Sequence, residues 1–461
     1  MTRLVVVSNR VPRPLGRSTD AGGLAVAMRD ALRQRGGLWF GWSGGIAEGS
    51  STTPQVTNAG LVTYVTVDLS QTDYDHYYVG YANGTLWPLL HYRLGLVDYS
   101  RRAFEGYWDV NAYLARMLQP LLQPDDLIWV QDYHLIPFGA ELRKLGVGNR
   151  IGFFLHTPFP PAEVMAALPR WDMLLKSFCS YDLIGFQTDE NVRAFQSCVV
   201  GLGGGADLGD GMFRAFGRRF QIGTFPVGID TLHFAEVAEQ ARGSPETRQL
   251  ADSLQGRSLV IGVDRLDYSK GIESRFQAIN ALLTDHPNYR RRFSYLQITP
   301  HSRTTVAQYR RVRRELEQAT GRVNGKFAEF DWAPVRYLNK SFSRQTLAGF
   351  HRLARVGLVT PFRDGMNLVA KEFVAAQDPE NPGVLILSVF AGAAEELQSA
   401  LQVNPLDIDE IAAALYRALT MPLEERRDRW QAMMTVLQRN TVSAWRERYL
   451  LALQGIAVAA E

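Results

Sequence analysis

Cations, carboxylates and aromatic rings, rather than a nucleophile with its base, are what this chain offers for chemistry. Arg265 and Lys270 lie in Asp264-Arg265-Leu266-Asp267-Tyr268-Ser269-Lys270-Gly271, directly after the apolar run 258–263. A guanidinium makes paired hydrogen bonds to phosphate and an ammonium acts as a point charge, so together they can clamp a diphosphate. The alternative is a solvated charged loop. Arg303, just past Ile298-Thr299-Pro300-His301-Ser302, adds a cation after the next apolar run. A third group, Arg363-Asp364-Gly365, separates the strand-like run 356–360 from helical periodicity over 366–376. In that helix Val369, Phe373 and Ala376 share a face suited to a sheet, whereas Leu368 and Glu372 lie on another. A helix start carries free N–H groups and the positive end of a dipole, which suits phosphate, although a plain strand-turn-helix unit would read the same way.

The first half of the chain has a different inventory. Asp132, in Trp129-Val130-Gln131-Asp132-Tyr133-His134, and His156, in Phe153-Phe154-Leu155-His156-Thr157-Pro158, both end apolar runs. A polar residue there faces either a cleft or the first buried turn, and His156 reads equally as a ligand-binding or a structural histidine. Tyr78, Trp87, His91 and Tyr92 sit in an aromatic-rich segment of the kind that stacks on sugars or forms half-buried core. Arg10 opens a connection over 9–23 that exceeds the usual ~2–6 residues of a strand-helix join and is read as a functional flap. No Ser-His-Asp pattern, Walker loop or metal-binding cluster is present, and the first loop lacks Gly-x-Gly-x-x-Gly, which disfavours a nicotinamide or flavin dehydrogenase. The inventory suits group transfer from a nucleotide-activated donor.

The elements that must position these groups alternate. Strand-like runs fall at 4–8, 38–42, 63–69, 126–132, 151–156, 182–187 and 220–227, separated in several places by helical patterns such as 110–122 and 162–178. The alternation restarts at 258–263 and continues through 295–299, 327–332, 356–360, 384–388 and 401–404. Strand and helix in alternation argue a mainly parallel, covered sheet, so the expected fold class is α/β: two facing Rossmann-like domains with the active site in the cleft. The expected boundaries are 1–228, 229–440, and a C-terminal helical stretch 441–461 that packs on either domain. With 461 residues the chain exceeds a single typical core. Its net charge of +3 argues against nucleic-acid or membrane-surface partners. Two cysteines, Cys179 and Cys198, are too few for a disulfide framework, and no apolar run approaches the ~18 residues of a membrane span. A soluble, cytoplasmic protein is expected.

Eight ordered motifs carry a resemblance. They are Val6-Val7-Ser8-Asn9-Arg10, Ala21-Gly22-Gly23-Leu24, Gly37-Leu38-Trp39-Phe40-Gly41-Trp42-Ser43-Gly44, Leu86-Trp87-Pro88, Asp132-Tyr133-His134, Phe154-Leu155-His156-Thr157-Pro158-Phe159-Pro160, Arg265 to Gly271, and Pro361 to Glu372. Together, from residue 2 to about 450, the chain resembles the trehalose-6-phosphate synthases. The resemblance implies a retaining glycosyltransferase of GT-B architecture that moves glucose from a nucleotide-glucose, UDP-glucose first among the candidates, to glucose 6-phosphate without a metal or cofactor. It further implies that Arg10, Tyr78, Trp87, Asp132 and Arg303 hold the acceptor. On the donor side, Gly23 places an amide near the diphosphate, and Arg265 and Lys270 neutralise the leaving group. His156 and Asp364 bind the transferred glucose, Asn367, Leu368 and Val369 present helix-start groups, Glu372 accepts the ribose hydroxyls, and the base lies near Phe342. Asp132, His156, Arg265, Lys270 and Asp364 form the expected catalytic set.

Retention without an obvious nucleophile implies front-face attack, while the two-carboxylate logic of retaining glycosidases keeps Asp132 or Asp364 open as a nucleophile. Gln131 departs from the resemblance, since that position is often His, and a changed contact to Asp132 is expected. No Asp-x-Asp-x-Thr phosphatase pattern is present, so a separate phosphatase is expected to act on the product. A silent glucose-6-phosphate sensor, a pseudo-glycosyltransferase for cyclitols and a glycogen-synthase-like polymerase remain as alternatives, and a homo-oligomer is possible.

Overall fold

A computed structural model describes residues 2–12, 28, 32, 36–49, 51–300 and 307–455. The chain forms two compact units, one holding the chain up to Pro226 and again from Ser443 onward, the other Val227–Val442. Gly23, Arg303 and most of the helix expected at 24–35 lie outside the described residues.

The first unit is built on a ten-stranded sheet ordered β3-β4-β2-β1-β5-β6-β7-β10-β9-β8. Its strands are β1 Leu4–Arg10, β2 Gly37–Ala47, β3 Gln55–Ala59, β4 Val62–Ser70, β5 Leu127–Gln131, β6 Ile151–Phe154, β7 Leu183–Phe186, β8 Ala206–Asp207, β9 Met212–Ala215 and β10 Arg218–Thr224. The strands from β4 through β10 in that order pair in parallel, and β3, β8 and β9 add antiparallel edges. Parallel strands are covered on both faces and therefore read as unbroken apolar runs. Accordingly Val5, Val6 and Val7 of β1 are all fully buried, each contributing about 1.5–3 kcal/mol of transfer free energy. The C-terminal helix Val442–Gln454 packs on this sheet through Tyr449, whose ring stacks on Trp129 at 4.7 Å between centroids.

The second unit has a six-stranded parallel sheet ordered β13-β12-β11-β14-β15-β16. These strands are β11 Ser258–Val263, β12 Phe293–Ile298, β13 Val335–Leu338, β14 Val356–Val359, β15 Val384–Ser388 and β16 Leu401–Val403. Each sheet reverses its strand order beside its first strand, between β1 and β5 and between β11 and β14, and the carboxyl ends there are where open α/β sheets bind ligands. Arg10 closes β1, Asp132 directly follows β5, Arg265 lies just past β11 and Asp364 shortly after β14.

Three elements differ from expectation. The helix expected over 162–178 is two short helices, Ala162–Met165 and Trp171–Phe178, broken where Pro169 disfavours helical geometry at Leu168 and Arg170 takes φ +60°. The strand expected over 327–332 is absent. Helix Ala307–Phe327 runs through Phe327, Phe330 is fully exposed, Glu329 and Trp332 form only an isolated bridge, and the strand begins at Val335. Finally, helix Leu368–Ala376 buries Phe373 and Ala376 as expected but leaves Val369 half-buried, and Ala370, Lys371, Val374 and Ala375 are buried as well, so the covered face is wider than the one expected.

Candidate active-site clusters

In the first unit the cluster is assembled around the ends of β1, β5 and β6. Arg10 closes β1 and is exposed. Its guanidinium lies over Gly44, where a Cβ would come within 2.6 Å of Nε, and Gly44 has φ +89°, so only glycine suits this position. Tyr77 donates to Asn9 Oδ1 at 2.8 Å, which fixes the residue beside Arg10. Segment Tyr74–Leu86 is wound as a π-helix and runs directly into a short turn beginning at Trp87, whose N–H donates to Ala82 O. Tyr78 on this segment stacks on His134 at 5.7 Å and 10°, and Trp87 packs against His91 at 4.1 Å and Tyr133 at 5.6 Å. Tyr78 is half-buried and Trp87 is buried. Asn83 ties the turn together by donating to Tyr78 O and accepting from Tyr133.

Asp132 has φ +73° and ψ 165°, a conformation that is essentially a glycine preserve. A non-glycine residue there carries about 1–3 kcal/mol of strain and persists only where its surroundings over-determine it. The surroundings are visible: Asp132 N donates to Phe154 O at 2.8 Å, Asp132 O accepts from Leu135 N, and Asp132 Oδ1 accepts from His156 N at 3.2 Å. The half-buried imidazole of His156 places Nε2 2.9 Å from Gln131 Oε1 and Nδ1 3.5 Å from Gln187 Nε2. Gln131 thus contacts His156. Burial lowers the His156 pKa to about 3, so the ring is neutral at neutral pH.

In the second unit, Lys270 meets a distant pair, Asp364 and Asn367. Lys270 Nζ lies 2.5 Å from Asp364 Oδ2, and Asn367 Nδ2 donates to the same oxygen at 3.0 Å. Asn367, at φ +79°, also caps helix Leu368–Ala376 by accepting from Ala370 N at 3.1 Å. That cap leaves the N–H groups of Leu368 and Val369 at the open start of the helix. Two backbone features hold the loops in place. Phe362 N donates to Ser269 O at 2.7 Å, and Gly271, at φ +63°, lies so close to Thr360 O that a Cβ would sit 2.4 Å from it. Beneath them the fully buried Arg275 pairs with Asp264 and donates to Lys270 O at 2.9 Å and Thr360 Oγ1 at 3.0 Å. Arg275 thus joins the two loops that carry Lys270 and Asp364, a role the sequence did not reveal. Arg265 is exposed at the end of β11.

Glu372 lies one turn into the same helix, with Oε1 3.7 Å from Arg344 Nε. Burial raises the Glu372 carboxyl to about 7, and the charge of Arg344 opposes that rise. Phe342, two residues before Arg344, is half-buried against Phe350 at 5.4 Å with Lys340 over its ring. Arg344 thus faces the expected ribose acceptor, and its guanidinium also lies over the Phe234 ring at 5.0 Å. Lys371, also missed from sequence, is fully buried beside Glu372 and pairs with Glu396 and Val227 O, which anchors the helix from behind. Among the described residues no group of three or more His, Cys, Asp or Glu could hold a metal ion, and no helix is long and apolar enough to cross a membrane.

These clusters hold cations, a helix start and a carboxylate in one unit and an exposed cation, rings and a strained carboxylate in the other, an arrangement that can bind two polar, phosphate-bearing molecules. Comparison with known proteins agrees in kind. The profile of Glycosyltransferase family 20 matches residues 3–455. The trehalose-6-phosphate synthase of Sinorhizobium fredii is 50% identical over 453 residues, 98% of each chain. Among solved structures, an alpha,alpha-trehalose-phosphate synthase (UDP-forming) from Burkholderia vietnamiensis superposes with a TM-score of 0.97 at 50% identity, covering 100% of this chain and 98% of that one. A Burkholderia xenovorans enzyme of the same name, solved in complex with glucose-6-phosphate, gives 0.94 at 50% identity over 98% of this chain and 100% of its own. With matches of this extent along the whole length, the chain belongs to glycosyltransferase family 20.

Proposed function

We propose that the chain transfers glucose from UDP-glucose to the anomeric hydroxyl of glucose 6-phosphate, giving α,α-trehalose 6-phosphate with retained configuration. The observation that carries this reading is the convergence of Lys270, Asp364 and Asn367 at the start of helix Leu368–Ala376, with Glu372 one turn on. That order matches sugar, diphosphate and ribose in a nucleotide-glucose. Arg265, Lys270 and the amides of Leu368 and Val369 take the diphosphate, where negative charge grows as the glycosidic bond breaks and preorganised donors contribute most. Asp364 and His156 bind the transferred glucose, Glu372 accepts the ribose hydroxyls, and Phe342 lies at the base. Arg10, Tyr78, Trp87 and Asp132 hold the acceptor. Gly23 and Arg303, outside the described residues, complete the donor and acceptor sets by their sequence positions.

In the step itself the bond from the anomeric carbon to the phosphate oxygen breaks and the bond to the acceptor oxygen forms on the same face. The acceptor proton passes to the departing phosphate oxygen, so no protein base is consumed. The product leaves with its phosphate, and a separate phosphatase consumes it, in the cytoplasm.

The test is direct. Purified protein incubated with UDP-glucose and glucose 6-phosphate should release UDP and trehalose 6-phosphate in equal amounts, with UDP-glucose outperforming GDP- and ADP-glucose. Binding of both sugars with no UDP release would replace the enzyme by a sensor. Formation of β-glucosyl azide by Asp132→Ala supplied with azide, the nucleoside diphosphate leaving, would replace front-face attack by double displacement.

A further inference from the structure

Six arginines line a cavity of about 740 Å³ in the second unit: Arg242, Arg248, Arg257, Arg352, Arg355 and Arg426. Among the described residues the one carboxylate on its wall is Asp378. Arg257 has a partner in Asp331 at 2.6 Å, and Arg352 has one in Glu239. Arg355 and Arg426 do not: among the described residues no carboxylate lies within 4.0 Å of either. They make only neutral contacts, Arg355 Nη2 to Met421 O at 2.8 Å, and Arg426 Nη1 to Asn381 Oδ1 at 2.7 Å and to Pro382 O at 2.5 Å.

Arg426 is 7% exposed, and among the described residues its Nε has no hydrogen-bond partner, nor has Nε of Arg352. A buried guanidinium without a counter-charge is costly unless something returns the missing interaction. The excess of charge is felt locally. Burial, then the charge of Arg426, lowers Arg355 to about 10, and burial, then the charge of Arg427, lowers Arg426. An anion is what such a cavity lacks. Guanidinium groups match phosphate in planar, paired geometry, and no aromatic ring lines the wall to stack a base.

We propose that this cavity binds a small phosphate-bearing anion, a sugar phosphate or an inorganic polyphosphate, at a site separate from the donor cluster. The separation follows from the helix they share. Arg352 Nη1 donates to Ala376 O at 3.1 Å and Gln377 O at 3.2 Å, at the carboxyl end of Leu368–Ala376, whereas the donor cluster is at its amino end. Nine helical residues span about 13 Å.

Hydrogen exchange of the intact protein, titrated with inorganic pyrophosphate and in parallel with a hexose bisphosphate, tests this. Saturable protection is expected over 350–357 and 421–428, and whichever probe binds more tightly names the source of the phosphate. Arg355→Gln should weaken that binding at least tenfold. Because Arg355 also holds Met421 O, the exposed pair Arg242→Glu and Arg248→Glu serves as a second variant that leaves the fold and basal transfer untouched and weakens binding to a similar extent. Protection confined to 264–271 and 360–372, absence of protection, or equal affinity in the rim variant would overturn the proposal.

Discussion

Donor affinity should rise with pH between 6 and 8, because Glu372 must shed a proton before it can accept two ribose hydroxyls. Its carboxyl stands at about 7 in the unliganded protein. The fraction ionised is then about 0.1 at pH 6, half at pH 7 and about 0.9 at pH 8. If only the ionised form accepts both hydrogen bonds, the apparent Kd scales inversely with that fraction and falls roughly ninefold across the interval. The sign is fixed by the direction of the shift: a carboxyl raised by burial is protonated where an ordinary one is not, so alkali favours binding. The assay is calorimetric titration with UDP-glucose alone. Its diphosphate is esterified at both ends and keeps a constant charge, whereas the phosphate of the acceptor would titrate in the same range. Glu372→Gln should bind weakly and without pH dependence. A wild-type Kd that is flat from pH 6 to 8, or that rises, would refute the assignment of Glu372 to the ribose.

Three further outcomes are expected. Asp132→Gly and Asp132→Ala should both abolish transfer, but the glycine variant should be the more stable to urea by about 1–2 kcal/mol, since it alone relieves the φ +73° strain; equal stability would mean that the backbone is not strained. Gly44→Ala should drive the Arg10 guanidinium from its seat and raise KM for glucose 6-phosphate about tenfold with KM for UDP-glucose unchanged, the loss of one charge-assisted bond to a phosphate. Acid should destabilise the fold through His156 and His351, held near pKa 3 and 4 by burial. The unfolded chain binds protons below about 6.5 while the folded ring does not, so stability is present above 6.5 and lost as pH falls, at up to about 1.4 kcal/mol per pH unit for each ring. His351→Gln should flatten the decline in Tm between pH 6.5 and 4.5; an unchanged slope would clear His351 of the effect.

The parallel sheets were legible because buried strands have no polar face: runs such as Val5-Val6-Val7 and Leu385-Ile386-Leu387 admit little else. The same logic misled at Phe327, Phe330 and Trp332, whose spacing mimics a strand, although Phe327 belongs to the end of a helix and Phe330 to solvent. Residues at strand ends were found because their types are unusual after apolar runs. Their partners were not. Nothing in the sequence pairs Lys270 with Asp364 across 94 positions, or places Arg275 beneath both, since ion pairs of that separation exist only once the sheet has set its order. Lys371 escaped for the opposite reason, being a charged residue on a buried helix face that periodicity assigns to the core only if its ion pair is already known.

The winding of Tyr74–Leu86 bears on how acceptor width could change. Tyr78 and Trp87 are nine residues apart, and at about 100° per residue an α-helix would put them on opposite sides of the axis. At roughly 4.4 residues per turn, the π-helical winding brings them to within about 20° of one another. Ring spacing is therefore encoded in pitch rather than in side-chain choice. Deleting a single residue from this segment would let it relax to the commoner pitch and carry Trp87 around the axis, dismantling the aromatic wall without altering any of its members. If Tyr78 and Trp87 hold the acceptor as proposed, length variation here, more than substitution, is the lever by which sugar selectivity would drift.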